Sequence, residues 1–355
     1  MGARLTILAS LMVLCGAPAC NGPGASGFPV QRSDLAMTGI VVRTDLHPNA
    51  TSPSGYGPAD LQAAYNLPSQ RNGQGQVVAI VDSYDNPNVV SDLAQYRSKY
   101  SLPTANFTKY NQNGQTKNYP RGNTAWGIEI DSDVDMVSAS CPNCTIYLVE
   151  ANSSAVSDIE AAESAAVSLG AHIVSNSFGA TNLQQSHFDT KGVTYLGSAG
   201  DSGSGIVEPA AFPSVVAVGG TTLQRGGGGK RGWTESAFGA SGGCTTFPKP
   251  KWQHDKTCTF RLANDVSAVA DPNTGVAVYD SYGYGGWLVI GGNSIPTPFL
   301  AGVFGLAGNA AQQDGGRTFW LSAHHQYLYQ VKIGGKYVRY STTSGWGSPD
   351  GIGAF

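Results

Sequence analysis

Two kinds of hydrophobic pattern alternate along this chain. Short continuous apolar runs bounded by turn formers predict buried strands at 76–82 (Gln-Val-Val-Ala-Ile-Val-Asp), 145–149, 172–177, 193–198 and 212–222. Between them the apolar positions take helical spacing. The predicted helices cover 89–100 behind Asn88 as a cap, 125–140 with Ile128, Val134 and Val137 for the core, and an Ala-rich 155–169 ended by Gly170. Short strands follow at 266–270, 275–279 and 286–290, then a helix over 298–311. Residues 224–262 are Gly-rich and read as irregular, and no internal repeat is visible. Strand–helix alternation of this kind predicts an α/β fold, a mostly parallel β-sheet with helices on both faces.

The ends of the chain read differently. Residues 1–19 have the form of a secretory signal peptide, with Arg4, an apolar stretch over 5–14 and the small-residue site Ala17-Pro18-Ala19. The apolar stretch is too short to span a membrane. The expectation is a secreted protein, extracellular or periplasmic. A lipid anchor on Cys20 is the less favoured alternative, because Ala17 replaces the usual aliphatic residue. Residues 20–54, rich in Gly, Pro, Ser and Thr, read as a linker or short pro-segment. The remainder, 55–355, is roughly 300 residues, enough for a single catalytic domain with one large core.

Only 13 % of residues are charged and 47 are glycine, which suits a compact, loop-rich exported enzyme rather than a disordered chain or a helical bundle. A net charge of −3 with no basic run gives no sign of nucleic-acid binding. The expected partners are protein or peptide substrates, and the expected state is a monomer. Beyond Cys20 stand Cys141, Cys144, Cys244 and Cys258, an even set that reads as disulfides in an exported chain. Cys141-Pro142-Asn143-Cys144 also has redox-motif spacing, but it sits between a helix and a strand, where a pinned turn is the simpler reading. Zinc held by all four is a third reading, weakened because the second pair lacks close spacing.

Three positions carry candidate chemistry. Glu129 and Asp133, four residues apart in a predicted helix, share a face, and like charges held close push one carboxyl toward keeping its proton. Ser294, in Gly291-Gly292-Asn293-Ser294, stands at the mouth of a helix, where outward N–H groups favour developing negative charge. Asp201, in Gly200-Asp201-Ser202-Gly203, follows a strand at the carboxyl edge of the sheet, where α/β sites form. An N-cap serine, an exposed acidic face and a turn-forming Asp are the plain alternatives for the three. A serine needs a base to act as a nucleophile. None of the six histidines lies in a recognisable base motif, which leaves the carboxylate pair. Asp82, ending the first strand, sits where a subtilisin carries its triad Asp.

Together these stretches resemble the sedolisin family of serine-carboxyl peptidases, especially its exported bacterial members. The resemblance covers about 55–355 and includes Gly57-Pro58-Ala59-Asp60-Leu61-Gln62, Ala64-Tyr65-Asn66-Leu67-Pro68, Glu129 with Asp133, and Gly200-Asp201-Ser202-Gly203. It continues through Val218-Gly219-Gly220-Thr221, Asp265-Val266-Ser267-Ala268-Val269-Ala270-Asp271-Pro272 and Gly291-Gly292-Asn293-Ser294. It implies a subtilisin-like fold with Ser294 as nucleophile, Glu129 as general base, Asp133 orienting Glu129, and Asp201 as the oxyanion-hole acid. The implied activity is serine-type endopeptidase hydrolysis at acid pH.

Four departures accompany the resemblance. Asn293 replaces the usual Thr before the serine. The family's calcium site, which uses two Asp carboxylates, has Gln330 and Gly347 in their places, so its carboxylate ligands are expected to be lost and no cofactor is expected. The helix between 179 and 193 looks shortened. The large pro-domain of many members is not seen. Two alternatives therefore stand beside the peptidase: a catalytically impaired sedolisin-fold protein that binds peptides, and a subtilisin-type Asp-His-Ser peptidase using Asp82.

Overall fold

The computed structural model describes residues 34–43, 50–200, 207–226, 232–238, 242–256 and 258–321, with short stretches at 328–330, 332–333, 336–337 and 343–346. Among these, seven strands run parallel: β1 (Val77–Ser83), β2 (Asn106–Asn111), β3 (Thr145–Ala151), β4 (Ile173–Asn176), β5 (Thr194–Ser198), β6 (Val215–Arg225) and β7 (Val266–Val269). They lie side by side as β2-β3-β1-β4-β5-β6-β7. Beyond β7, Thr343–Trp346 adds a further parallel strand and Leu328–Gln330 an antiparallel one. The sheet is mostly parallel, as the strand–helix alternation predicts, and fits the subtilisin-like fold that the resemblance implies.

The layers follow from the apolar runs. The described helices include α1 (Pro58–Ala64), α2 (Val89–Lys99), α3 (Thr124–Ser140), α4 (Val156–Ser168) and α5 (Pro296–Ala307). Val78 and Ile80 of β1 belong to the core shared with α1, α2, α3 and α5, while Ala79 and Val81 belong to the core shared with α4. A strand covered on both faces has no polar side to display, hence its unbroken apolar run. From β1 the chain crosses to β2 and β3 on one side, then returns to β4 on the other. The carboxyl end of β1, with Asp82, is thus a topological switch point, the usual place for a site in such sheets.

Some elements differ from the expectation. Asn106–Asn111 is a strand that the pattern does not announce, because it is the outermost one and mostly polar. Trp233–Ala237, inside the stretch read as irregular, pairs antiparallel with the end of β6. Helix α5 starts at Pro296 and ends at Ala307, where Gly308 turns left-handed at φ 72°, and 310–312 forms a separate 3₁₀ turn. Asn88 does not cap α2 with its side chain. Its Nδ2 donates to Ser281 Oγ at 2.9 Å, and Asn86 Oδ1 accepts the Asn88 amide at 2.9 Å. Residues 180–193 hold only a four-residue 3₁₀ turn, Gln185–Phe188. Among the described residues, no helix is long and apolar enough to cross a membrane.

Cys141 pairs with Cys144, pinning the turn from α3 into β3, and Cys244 pairs with Cys258. All four sulfurs are thereby paired, which removes the four-cysteine zinc reading, and the Cys141–Cys144 pair is buried in the turn it pins. Helix α5 lies close on α3 because glycines face the contact. A Cβ on Gly302 would stand 2.0 Å from Ser140 Oγ, and one on Gly305 would stand 2.4 Å from Cys144 Sγ.

Buried acids add a constraint of another kind. Glu163 of α4 is fully buried, and burial raises its carboxyl to about 8 despite the Asn176 amide beside it. Burial likewise raises Glu150 of β3 to about 9, with Lys109 opposing the shift.

Two predictions follow from this packing. Gly302→Val should lower unfolding free energy by about 1–3 kcal/mol, read from urea denaturation, because the α3–α5 contact has no room for it. Glu150 and Glu163 keep their protons when folded to about pH 8–9 but release them near 4.5 when unfolded. The native state therefore binds more protons across that window. The stability these groups contribute is complete below about pH 4.5 and lost as pH rises toward 8–9. Scanning calorimetry from pH 4 to 8 should show Tm falling by on the order of 10 °C, less steeply in Glu163→Gln. A Tm that rises through the window would contradict this.

Candidate active site

Helix α3 begins at Asn123, whose Oδ1 accepts the amides of Ala125 at 2.9 Å and Trp126 at 3.2 Å. From Trp126 to Ser140 every residue of α3 is buried, although four of them are acids. Helical spacing sorts these acids into two pairs. Asp131 and Asp135 serve the packing: Asn86 Nδ2 donates to Asp131 at 2.7 Å, and the Tyr279 amide donates to Asp135 at 3.2 Å. Glu129 and Asp133 lie within electrostatic reach of Asp82 at the end of β1. Burial pushes the Asp82 carboxyl well above the usual range, and the charges of Asp133, Glu129 and Glu150 push it further. Asp133 is raised by burial too, with the Ser177 hydroxyl beside it opposing the shift.

Ser294 arrives from the other end of the chain. The strand Gly286–Gly291 delivers it, and α5 starts two residues later. Ser294 is fully buried, and its Oγ donates to the Ser177 carbonyl at 2.9 Å. In return Ser177 Oγ donates to the Ser294 carbonyl at 3.3 Å. Ser177 thus stands between Ser294 on one side and Asp133 on the other. It follows β4 directly and carries no signal in the sequence beyond being a serine at a strand end, which is why sequence reasoning passed it over.

The residues around Ser294 explain part of the motif. Gly292 has φ +103°, a conformation suited to glycine, and a Cβ there would meet the Gly39 carbonyl oxygen at 2.0 Å. Asn293, the departure from the family pattern, donates through Nδ2 to the Gly200 carbonyl, one residue before Asp201. Its Oδ1 lies against Gly220, where a Cβ would come within 2.4 Å. Asp265 and Asp271, from the 265–272 run of the resemblance, have structural partners. Asp265 binds the buried Arg261 at 2.7 Å, the Ala217 amide at 2.8 Å and Trp320 Nε1 at 2.8 Å, while Asp271 caps the Pro272–Thr274 turn.

The candidate residues therefore separate. Ser294, Asp133, Glu129 and Asp82 gather at the carboxyl edge of the sheet, with Ser177 linking the first two. Asp201 and Gly347 lie outside the described residues, as do 1–19 and Cys20; Gln330 is described as the last residue of a strand. The hydroxyl of Ser294 shares hydrogen bonds with Ser177 and Gly39, and among the described residues with no histidine. His172, exposed, binds the Gly192 carbonyl at 2.8 Å, and His187, half-buried, binds Ser164 Oγ at 3.0 Å. Asp82, offered as a subtilisin-type triad acid, keeps company with carboxyls instead.

A segment outside the predicted catalytic domain also reaches this site. Met37–Thr38 pairs antiparallel with Phe178–Gly179, Val41–Val42 pairs antiparallel with Gly286–Gly291, and between them the Gly39 amide points at Ser294 Oγ at 3.3 Å.

Comparison with known proteins agrees with this picture. No family model matches the chain. Kumamolisin from Bacillus sp. (strain MN-32) is 30% identical over 295 residues, covering 71% of this chain and 52% of that protein. Sedolisin from Pseudomonas sp. (strain 101) is 26% identical over 359 residues, covering 86% of this chain and 60% of that protein. The chain thus spans somewhat over half the length of the curated relatives it matches. The solved structure of Pseudomonas sedolisin, a serine-carboxyl proteinase complexed with pseudo-iodotyrostatin, superposes with a TM-score of 0.69 at 24% identity, covering 83% of this chain and 93% of that one. Motif order, the parallel sheet and these relatives together make the chain a member of the sedolisin family.

Proposed function

We propose that the chain is an exported serine-carboxyl endopeptidase that hydrolyses peptide bonds of protein or peptide substrates at acid pH. Ser177 carries the proposal, because its carbonyl accepts the Ser294 hydroxyl while its own hydroxyl lies within electrostatic reach of the Asp133 carboxyl, so that it relates two ends of the chain in one site. In the proposed reaction Ser294 Oγ attacks the substrate carbonyl and Glu129 takes its proton. Asp133 orients Glu129, and Asp82 adds a third carboxyl able to share protons within the group. A protonated Asp201 donates to the oxyanion. Glu129 then gives its proton to the departing amine, the C–N bond breaks, and water releases the acyl group from Ser294. Burial favours the protonated form of Asp82 and Asp133, which leaves Glu129 as the group that accepts the serine proton and suits work in acid.

Calcium does not fit the residues at the family's position. Gln330 supplies at most an amide oxygen and Gly347 no side chain, whereas calcium favours carboxylate oxygens.

One observation favours a second reading, a peptide-binding protein that does not hydrolyse: the proton of Ser294 Oγ is directed at the Ser177 carbonyl rather than at a carboxylate.

Casein cleavage followed from pH 3 to 7 separates the two. The peptidase loses all cleavage in Ser294→Ala and about 10²–10⁴-fold in Glu129→Gln. Absence of Ser294-dependent cleavage at every pH would favour the binding protein, and an undiminished Glu129→Gln would restore the subtilisin-type mechanism. Chelator should leave the melting temperature unchanged. A large drop reversed by added calcium would show that the metal site survives.

A further inference from the structure

Asn293 and Ser294 are consecutive, and each reaches with its side chain past the carboxyl end of a different strand. Ser294 Oγ donates to the Ser177 carbonyl, one residue beyond β4, and Asn293 Nδ2 donates to the Gly200 carbonyl, two residues beyond β5. β4 and β5 are parallel neighbours, with Asn176 in register with Gly197. Two adjacent side chains thus fasten the serine's turn to two adjacent strands. Asn293 is fully buried, and its surroundings are shaped to receive it. Gly200 takes φ +83°, and a Cβ on Gly220 of β6 would stand 2.4 Å from Asn293 Oδ1. Interiors packed this closely hold a side chain in one place.

The reaction treats the two bonds differently. For Ser294 to attack a carbonyl, its proton passes to a base. The bond to the Ser177 carbonyl is therefore given up when the chemistry starts. The Asn293 bond involves neither the proton nor the oxygen that react, so it lasts through turnover. Backbone contacts tie the same turn elsewhere: the Gly292 amide donates to the Ala270 carbonyl at 2.7 Å, just past β7, and Thr297 Oγ1 of α5 donates to the Asn293 carbonyl at 2.9 Å. The Asn293 amide adds the β5 side. Gly200 immediately precedes Asp201, the acid assigned to the oxyanion, so this bond sets the nucleophile's turn against the strand end from which that acid follows.

We propose that Asn293 is a positioning residue for the reaction. Its amide holds the turn of Ser294 against the Gly200 carbonyl while the serine hydroxyl leaves the Ser177 carbonyl for the base. It acts on turnover and not on the capture of substrate. A side chain that only filled the space beside Gly220 would need the same shape but no donor, and that difference is what the test uses. The proposal rests on the reading of Ser294 as a nucleophile, and the test keeps the two apart.

The full chain is purified as wild type, Ser294→Ala, Asn293→Leu and Asn293→Asp. Fluorescently labelled casein is the substrate from pH 3 to 7, with kcat and KM fitted separately and all rates taken below the lowest melting temperature of the set. Leu keeps the branch at Cγ and removes the donor. Asp keeps the shape and donates only while protonated. Asn293→Leu should lower kcat about 10–100-fold with KM changed less than about 2-fold, because misplacing a reacting group by about 1 Å costs on the order of 10² in rate. Asn293→Asp should approach wild-type kcat at pH 3 and fall progressively below it as pH rises, when its carboxylate faces the Gly200 carbonyl oxygen without a proton. If Asn293→Leu fails to fold, Asn293→Asp at pH 3 against higher pH decides alone. Both variants matching wild-type kcat at every pH, with Ser294→Ala inactive, would overturn the proposal and leave the peptidase standing. So would a defect confined to KM, or an Asn293→Asp deficit that is the same at pH 3 as above it. No Ser294-dependent cleavage by wild type would overturn both.

Discussion

A carboxyl group withdrawn from water holds its proton or finds a donor, and α3 withdraws four of them at once. Its two faces resolve the problem differently. Asp131 and Asp135 take donors from the Asn86 side chain and the Tyr279 backbone, tying α3 to the loop after β1 and to the strand Val276–Asp280. Glu129 and Asp133 lie toward Asp82 and Ser177; burial favours the protonated form of Asp133 and Asp82, and at Asp82 the charges of Asp133, Glu129 and Glu150 add to it. The helix that braces the core and the helix that furnishes the candidate chemistry are the same object.

The position of Ser294 depends on that helix through α5. Three features set it: glycines that let α5 approach α3, the left-handed turn at Gly292 that ends the preceding strand, and the paired hydrogen bonds with Ser177. Asn293 then reaches toward Gly200 through its amide. A shorter threonine hydroxyl would reach less far, so the substitution comes with a contact of its own.

Much of this was legible in the sequence. Strands covered on both faces advertise themselves as unbroken apolar runs, and β1, β3, β4, β5 and β6 were placed within a few residues. The pairing of Glu129 with Asp133 followed from helical periodicity. Elements whose partners are distant in sequence were not legible. β2 is half-exposed and polar, and only its neighbour β3 makes it a strand. Ser177 acts through its backbone carbonyl as well as its hydroxyl, and a carbonyl has no letter in the sequence. Residues 34–43 look like a linker because Gly, Thr and single apolar residues carry no period, and their extended form comes from pairing with Phe178–Gly179 and Gly286–Gly291. Asp265, singled out within a family motif, holds a buried arginine in place, a role that composition alone does not separate from catalysis.

The outermost strand, β2, bears on how the molecules behave toward one another. A free sheet edge invites a second chain to continue the hydrogen-bond ladder, and proteins commonly deter this with charge. β2 carries Lys109 in its middle, turned inward to Asp85 and Glu150, with the Tyr119 ring against its ammonium and the Tyr119 hydroxyl on its carbonyl. In acid, where few carboxylates remain to keep copies apart, that guarded border would limit edge-to-edge stacking into aggregates.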